Sequence, residues 1–390
     1  MTYDLKIWRV APLKMPDTTN CGTIKNIIIS FLLVCLPSVF ADIVHIMNPY
    51  ITDLLDQPSA LRDLLRQYPG KALGGIHENI VSGTLDRILI TGMGSSLNAA
   101  YPAVIRLSSQ SVPVQYINAA ELLHYLNGMI GNRSLLWMNS QSGRSAELVH
   151  LLDNLKTFKP AGVLAFVNDV TSPVAARADV CLDIHAGAEA TVSTKTYVNM
   201  LASNSLAALQ LTAGDTGKAI DDLLSAADAM DIYLVDWQAR VDELDSQLGE
   251  FNQLFFLGRG ASMSAVWNGA LINKEAAKSS FEGMNSADFR HGPLELVSLG
   301  FAAIIFAGSA LTAGLNRNLA LEIISHGGRV MWTASEPDPE LPTLLLPKTS
   351  DFARPLAEIL PLQMLTLMMA RRKGLEAGKF RYVGKVTASE

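Results

Sequence analysis

A chain of 390 residues, 49% hydrophobic and 17% charged, is long enough for two buried cores and too apolar to be disordered. Its net charge of −6, with no basic run, argues against broad nucleic-acid binding. Cys21, Cys35 and Cys181 are too few and too scattered for a disulfide framework or a zinc site, and the seven histidines include no His-x-x-x-His pair, so no metal is expected.

The first 46 residues differ in character from the rest of the chain. The apolar run Ile27–Leu36 is shorter than the ~20 residues a membrane-spanning helix needs. Pro37-Ser38-Val39-Phe40-Ala41 comes next, with Val39 and Ala41 placed as the small residues of a signal-peptide cleavage site. The polar stretch ahead of the run is long for a signal peptide, which opens another reading, that Met47 is the working start. From Met47 onward the order is regular. Residues 49–55 and 58–65 have helical periodicity, and apolar runs near 87–91, 113–118, 134–139, 162–167 and 179–184 alternate with helical segments. That alternation predicts a parallel sheet covered on both faces. The stretch 218–248, free of Gly and Pro, predicts one long connecting helix. The pattern then restarts at Gln253-Leu254-Phe255-Phe256-Leu257, with further strands near 301–307, 328–334 and 342–346. The expected organisation is an extension (1–46), a first α/β domain (47–217), a connecting helix (218–248), a second α/β domain (249–375) and a tail (376–390). The fold class is two tandem doubly wound parallel sheets.

Two strand-to-helix turns carry hydroxyls. Strand 87–91 runs into Gly92-Met93-Gly94-Ser95-Ser96, and strand 134–139 into Ser140-Gln141-Ser142-Gly143-Arg144-Ser145. A helix N-terminus offers free backbone N–H groups and the positive end of its dipole, serines add donors, and glycine lets the backbone approach an anion closely. The Gly-x-Gly turn alone is weak evidence for a dinucleotide, since no acidic residue closes the next strand at the expected distance. Two such turns in one parallel sheet suit a sugar phosphate, held at the carboxyl ends of the strands. Gly258-Arg259-Gly260-Ala261-Ser262 is the counterpart of the first turn, and the spacing from Gly260 to Gly308 nearly equals that from Gly94 to Gly143. This predicts an internal duplication. The second copy lacks the Ser-Gln-Ser cluster, so it is expected to support the site without binding a phosphate of its own.

Gly94-Ser95-Ser96, Ser140-Gln141-Ser142-Gly143, Ser193-Thr194-Lys195 and His291-Gly292-Pro293 resemble the motifs of the double phosphosugar-isomerase (SIS) family, in particular its amino-sugar-phosphate transaminase and deaminase branches. The resemblance runs from about Met47 to the C-terminus, which favours Met47 as the start and a cytoplasmic protein, with secretion the lesser alternative. It implies flavodoxin-like domains and a hexose or hexosamine 6-phosphate substrate, with neither metal nor other cofactor. The phosphate ligands would be Ser95, Ser96, Ser140, Gln141, Ser142 and Ser145, and the sugar wall Gly94, Ser193 and Thr194. Aldose–ketose interconversion needs a base that moves a proton between C1 and C2. Glu275, among small apolar residues of a helical segment, suits a carboxylate of raised pKa, although an exposed partner of Lys274 or Lys278 would have the same sequence. The family's Leu-Lys-Glu segment has its base at this position. By the same resemblance His291 would open the ring from the neighbouring subunit, implying a homodimer. Lys385, in the closing tail, would form a Schiff base with the open-chain ketose. Glu147 and Arg144 read as surface residues of the anion-site helix.

One departure concerns the amination step. The synthases carry a lysine three residues before the catalytic glutamate, and this chain has Ile272. Cys21-Gly22-Thr23 superficially resembles the start of a glutamine-hydrolysing domain, but the first sheet begins by about residue 87, too soon for one. The expected reaction therefore joins fructose 6-phosphate and glucosamine 6-phosphate with loss or gain of free ammonia. Alternatives are a fructosamine-6-phosphate deglycase, a simple phosphosugar isomerase, or a non-catalytic sugar-phosphate sensor.

Overall fold

The computed structural model describes residues 48–390 except 71, 110–112, 383 and 386–390. The readings made for residues 1–47 lie outside the described residues. Among the described residues ten strands form two five-stranded sheets, all of their pairings parallel. In chain order they are β1 Arg87–Gly92, β2 Val114–Asn118, β3 Ser134–Asn139, β4 Gly162–Val167, β5 Val180–Asp183, β6 Gln253–Gly258, β7 Glu282–Asn285, β8 Phe301–Phe306, β9 Arg329–Ala334 and β10 Thr343–Leu345. The first sheet has the order β2-β1-β3-β4-β5, and the second, read from its β7 edge, β7-β6-β8-β9-β10. These are one topology used twice, the doubly wound order whose chain reversal lies between the first and third strands. All six residues of β3 and of β8 are buried, which is why Leu135–Met138 and the whole of β8 read as apolar runs instead of alternating.

Sixteen α-helices cover the sheets among the described residues: α1 Pro49–Leu55, α2 Gln57–Gln67, α3 Gly74–Val81, α4 Gly94–Ala99, α5 Tyr101–Leu107, α6 Ala119–His124, α7 Ala146–Asp153, α8 Leu155–Phe158, α9 Lys195–Leu211, α10 Thr216–Val235, α11 Trp237–Leu248, α12 Met263–Ala277, α13 Ser286–Arg290, α14 Ala313–Ser325, α15 Arg354–Glu358 and α16 Leu360–Arg372. The predicted single helix over 218–248 is two helices, broken at Asp236. Arg240 compensates the break. Its Nε donates to the Tyr233 carbonyl at 2.8 Å while its guanidinium lies 3.6 Å over the Tyr233 ring. Sequence patterning does not reveal strand β7, because Glu282-Gly283-Met284-Asn285 is short, has no β-branched residue and contains two turn-forming types.

The two sheets do not have wholly separate cores. Outer faces hold a cluster each, around Leu136 and Met138 in the first sheet and around Phe289 and Ile305 in the second. The inner faces share one large cluster that runs from Ile88 and Trp137 through α9 and α12 to Ile304 and Met364. Helix α12 is at the centre of that layer. A Cβ on Gly269 would meet Leu362 Cδ1 at 2.0 Å, so α12 and α16 approach at a distance that glycine alone permits. Among the described residues no helix is long and apolar enough to cross a membrane.

Candidate active site

The reversal point of the first sheet positions the site. β1 ends at Gly92 and α4 starts at Gly94; β3 ends at Asn139 and α7 starts at Ala146. Between β3 and α7 the chain turns on Gly143, whose φ of +60° is a left-handed conformation. The Ser140 hydroxyl, buried, accepts from the Gly143 N–H at 3.1 Å and lies 3.2 Å from the Ser145 hydroxyl. The Gln141 N–H donates to Ser96 Oγ at 3.3 Å, which ties the two turns together.

Over these turns lies a cavity of about 300 Å³. Gly94, Ser95, Ser96, Gln141, Ser142 and Ser145 line it, as does Ser193 from the loop before α9. Glu275 and Leu271 reach it from α12, and Phe380, Gly384 and Lys385 from the tail. Most of the residues singled out from sequence thus converge, and three do not. Ser140 is buried and does not line the cavity. Thr194 is fully buried, its N–H and hydroxyl both donating to Glu189 at 2.8 and 3.0 Å. His291 is exposed at the C-terminus of α13 and does not line this cavity.

Leu271 and Glu275 are one helical turn apart and share a face. Ile272 is turned the other way, fully buried in the shared core. Burial pushes the Glu275 carboxyl up from 4.5 to about 7, partly offset by Lys278 and Lys385. The simpler reading of Glu275, an exposed ion-pair partner, does not hold. Lys278 Nζ donates to the carbonyl of Lys379 at 2.7 Å, and among the described residues the Glu275 carboxylate has no ion pair. A half-buried carboxyl that titrates near neutrality, facing an open cavity, can take up and return a proton.

Lys385 Nζ donates to Glu189 Oε2 and to the Thr191 carbonyl, both at 2.6 Å. Sequence reasoning missed Glu189, which lies in the loop six residues ahead of α9 and carries no local signal of its role. It also placed Glu147 on the surface, whereas Glu147 lines the cavity from the first turn of α7. Arg144 does turn away, bonding Asp169 at 2.8 Å. In the second sheet the equivalent turn is filled by its own groups. Ser262 Oγ donates to the buried Glu358 at 2.9 Å and Arg259 Nε to Asn316 Oδ1 at 3.0 Å.

Residues 85–210, from the start of β1 to the end of α9, match the SIS domain family model. Over 356 residues the chain is 29% identical to a glutamine–fructose-6-phosphate aminotransferase (isomerizing) of Pyrococcus horikoshii, an alignment covering 87% of the chain and 57% of the relative. It therefore spans little more than half the length of that relative. Among solved structures it is similar to the C-terminal domain of the glucosamine–fructose-6-phosphate aminotransferase from Francisella tularensis, with a TM-score of 0.74 and 21% identity over 85% of this chain and 98% of that one. It is also similar to glucosamine-6-phosphate deaminase from Thermotoga maritima, with a TM-score of 0.67 and 20% identity over 87% and 99%. At these identities the structural likeness establishes the fold of the two tandem sheets.

Proposed function

We propose that the chain is an enzyme interconverting fructose 6-phosphate and glucosamine 6-phosphate, with loss or gain of ammonia. The observation that carries this reading is the convergence, in one cavity, of two hydroxyl-lined turns, a carboxyl titrating near 7 and a lysine amine. The turns between β1 and α4 and between β3 and α7 hold the 6-phosphate through serine hydroxyls, the Gln141 side chain and the N-terminus of α7. Glu275 moves the proton between C1 and C2 of the open-chain sugar. Lys385 condenses with the ketose carbonyl, losing water to form an imine that ammonia or water later displaces. His291, exposed in its own subunit, opens the ring in a second copy, so the working unit is a homodimer. The names of the aminotransferase and deaminase relatives support amino-sugar phosphates over other ligands of this fold.

The test is to incubate the protein with glucosamine 6-phosphate and measure ammonia and fructose 6-phosphate, then to run the reverse reaction with ammonium. Stoichiometric ammonia release is expected. Aldose–ketose exchange with no ammonia would reduce the activity to a simple isomerase, and tight binding without turnover would favour a sensor. Within this reading, Ser142→Ala or Ser96→Ala should weaken phosphorylated sugars by about 1.5–3 kcal/mol each, the worth of a hydrogen bond to a charged group. Calorimetry with phosphorylated and unphosphorylated sugars measures it, and equal losses for both ligands would make the turns structural only.

A further inference from the structure

We infer that Glu189 is the positioning residue of the cavity, fixing the tail through Lys385 and the Thr191–Ser193 wall in a single register. The inference takes from the proposed function only the role of Lys385 in the reaction. The Glu189 side chain has no exposure, and its two oxygens accept five hydrogen bonds. Four donors come from the start of α9, namely the N–H and hydroxyl groups of Thr194 and Thr196, at 2.6 to 3.1 Å. The fifth is Lys385 Nζ.

A helix N-terminus together with two hydroxyls satisfies a carboxylate almost completely, so Glu189 is a fixed negative charge held on the inner side of the wall. Its cation comes from far along the chain, although a closer one exists. Lys195, the first residue of α9, is drawn instead to Asp56 at 2.7 Å and Asp53 at 3.6 Å. Asp53 also accepts from the Ala190 N–H at 2.8 Å, which fixes the chain next to Glu189. With Lys195 taken up by these aspartates, Glu189 is left to the tail. The start of the tail is anchored, with Ala377 buried and its carbonyl accepting from Asn48 Nδ2 at 3.1 Å, but the described residues beyond Phe380 are mostly open to solvent. Arg381, Tyr382 and Gly384 are exposed, and upstream Lys278 Nζ holds the Lys379 carbonyl. The same Lys385 ammonium bonds the Thr191 carbonyl of the wall. One buried charge therefore sets where both Lys385 and the wall lie relative to Glu275.

Tryptic cleavage after the exposed Arg381 reports this without requiring catalysis. Glu189→Gln, Lys385→Met and the double variant should each be cut about tenfold faster or more than wild type, the equivalent of one charge-assisted hydrogen bond. The double variant should be no faster than either single one, because both remove the same contact. Lys385→Arg should restore protection. Should Glu189→Gln not fold, the contrast of Lys385→Met with Lys385→Arg carries the test, since Lys385 does not support α9. Wild-type cleavage of Lys385→Met, or additive acceleration in the double variant, overturns the inference. The catalytic arm is separate. In turnover of glucosamine 6-phosphate, Glu189→Gln should lower kcat with little change in KM, and should add nothing to the loss in Lys385→Met. Protection that shows the expected pattern in a protein with no turnover would sink the proposed function and leave the positioning role standing.

Discussion

Glu275→Gln is expected to lower kcat by about 10²- to 10⁴-fold, the usual contribution of a positioned general base, with the affinity for sugar phosphate nearly unchanged. Glutamine keeps the shape of the side chain and loses only the ability to take a proton, so the effect should fall on the chemical step alone. Burial makes this carboxyl a better base than a solvated glutamate by raising it from 4.5 to about 7. That shift fixes the sign of the pH dependence. The base works deprotonated, so kcat/KM should climb as pH rises toward 7 and level off above it, whereas an unperturbed glutamate would give the plateau above about 4.5. Deuterium incorporation from heavy water at the exchanging carbon measures proton transfer directly. Wild-type exchange in Glu275→Gln, or a rate limb centred near 4.5 in the parent protein, would remove Glu275 from the base's role.

The parts of this molecule readable from sequence are those with local causes. The strands β1, β3, β4, β6, β8 and β9 are short, unbroken apolar runs because both of their faces are covered, and such runs declare themselves. The hydroxyl turns are legible for the same reason, since the glycine and serines that hold an anion lie within a few residues of each other. What escaped depends on distant partners. Asp236 interrupts a helix although neither Gly nor Pro is near, and the freed Tyr233 carbonyl is satisfied by Arg240. Strand β7 exists because β6 offers it an edge, not because its four residues favour extension. Glu189 has the local sequence of an ordinary loop carboxylate, and only the fold brings Lys385, far along the chain, beside it. The position of Ile272 shows the limit of counting along a helix. Its side chain faces the shared core, and Leu271 is the residue that borders the cavity beside Glu275.

Gly143→Ala should be the most damaging single change to the anion site. At φ +60° a residue with a Cβ costs roughly 1–2 kcal/mol before any neighbour is considered. The neighbour is the larger problem. An ideal Cβ at 143 would stand 1.9 Å from Ser172 Oγ and 2.4 Å from Ser172 Cβ. A hydroxyl can rotate away, but a Cβ moves only with its backbone, and Ser172 is fully buried with its N–H bonded to the Asp169 carbonyl. The Val174 N–H also donates to the Gly143 carbonyl at 3.2 Å, so the two loops are joined on both sides of the collision. The turn itself must therefore shift, carrying Ser142 and Ser145 out of place. Losing two charge-assisted hydrogen bonds together should weaken phosphorylated ligands about 100-fold or more. Thermal unfolding should report a destabilised fold as well, because overpacking of this kind typically costs about 1–3 kcal/mol. Adding Ser172→Gly removes the collision and leaves the backbone strain, so the double variant should recover part of the affinity but not all. Gly94 supplies the control. It too is left-handed, at φ +51°, yet its Cβ would meet nothing nearer than Leu271 Cδ2 at 3.4 Å. Gly94→Ala should therefore show the strain, and whatever room its Cβ takes from the cavity it lines, without a collision inside the protein, and should lose less. Full recovery of affinity on adding Ser172→Gly would mean that the contact with Ser172 and not backbone strain governs the turn, no recovery would mean the reverse, and wild-type affinity in Gly143→Ala would mean that the anion is held elsewhere.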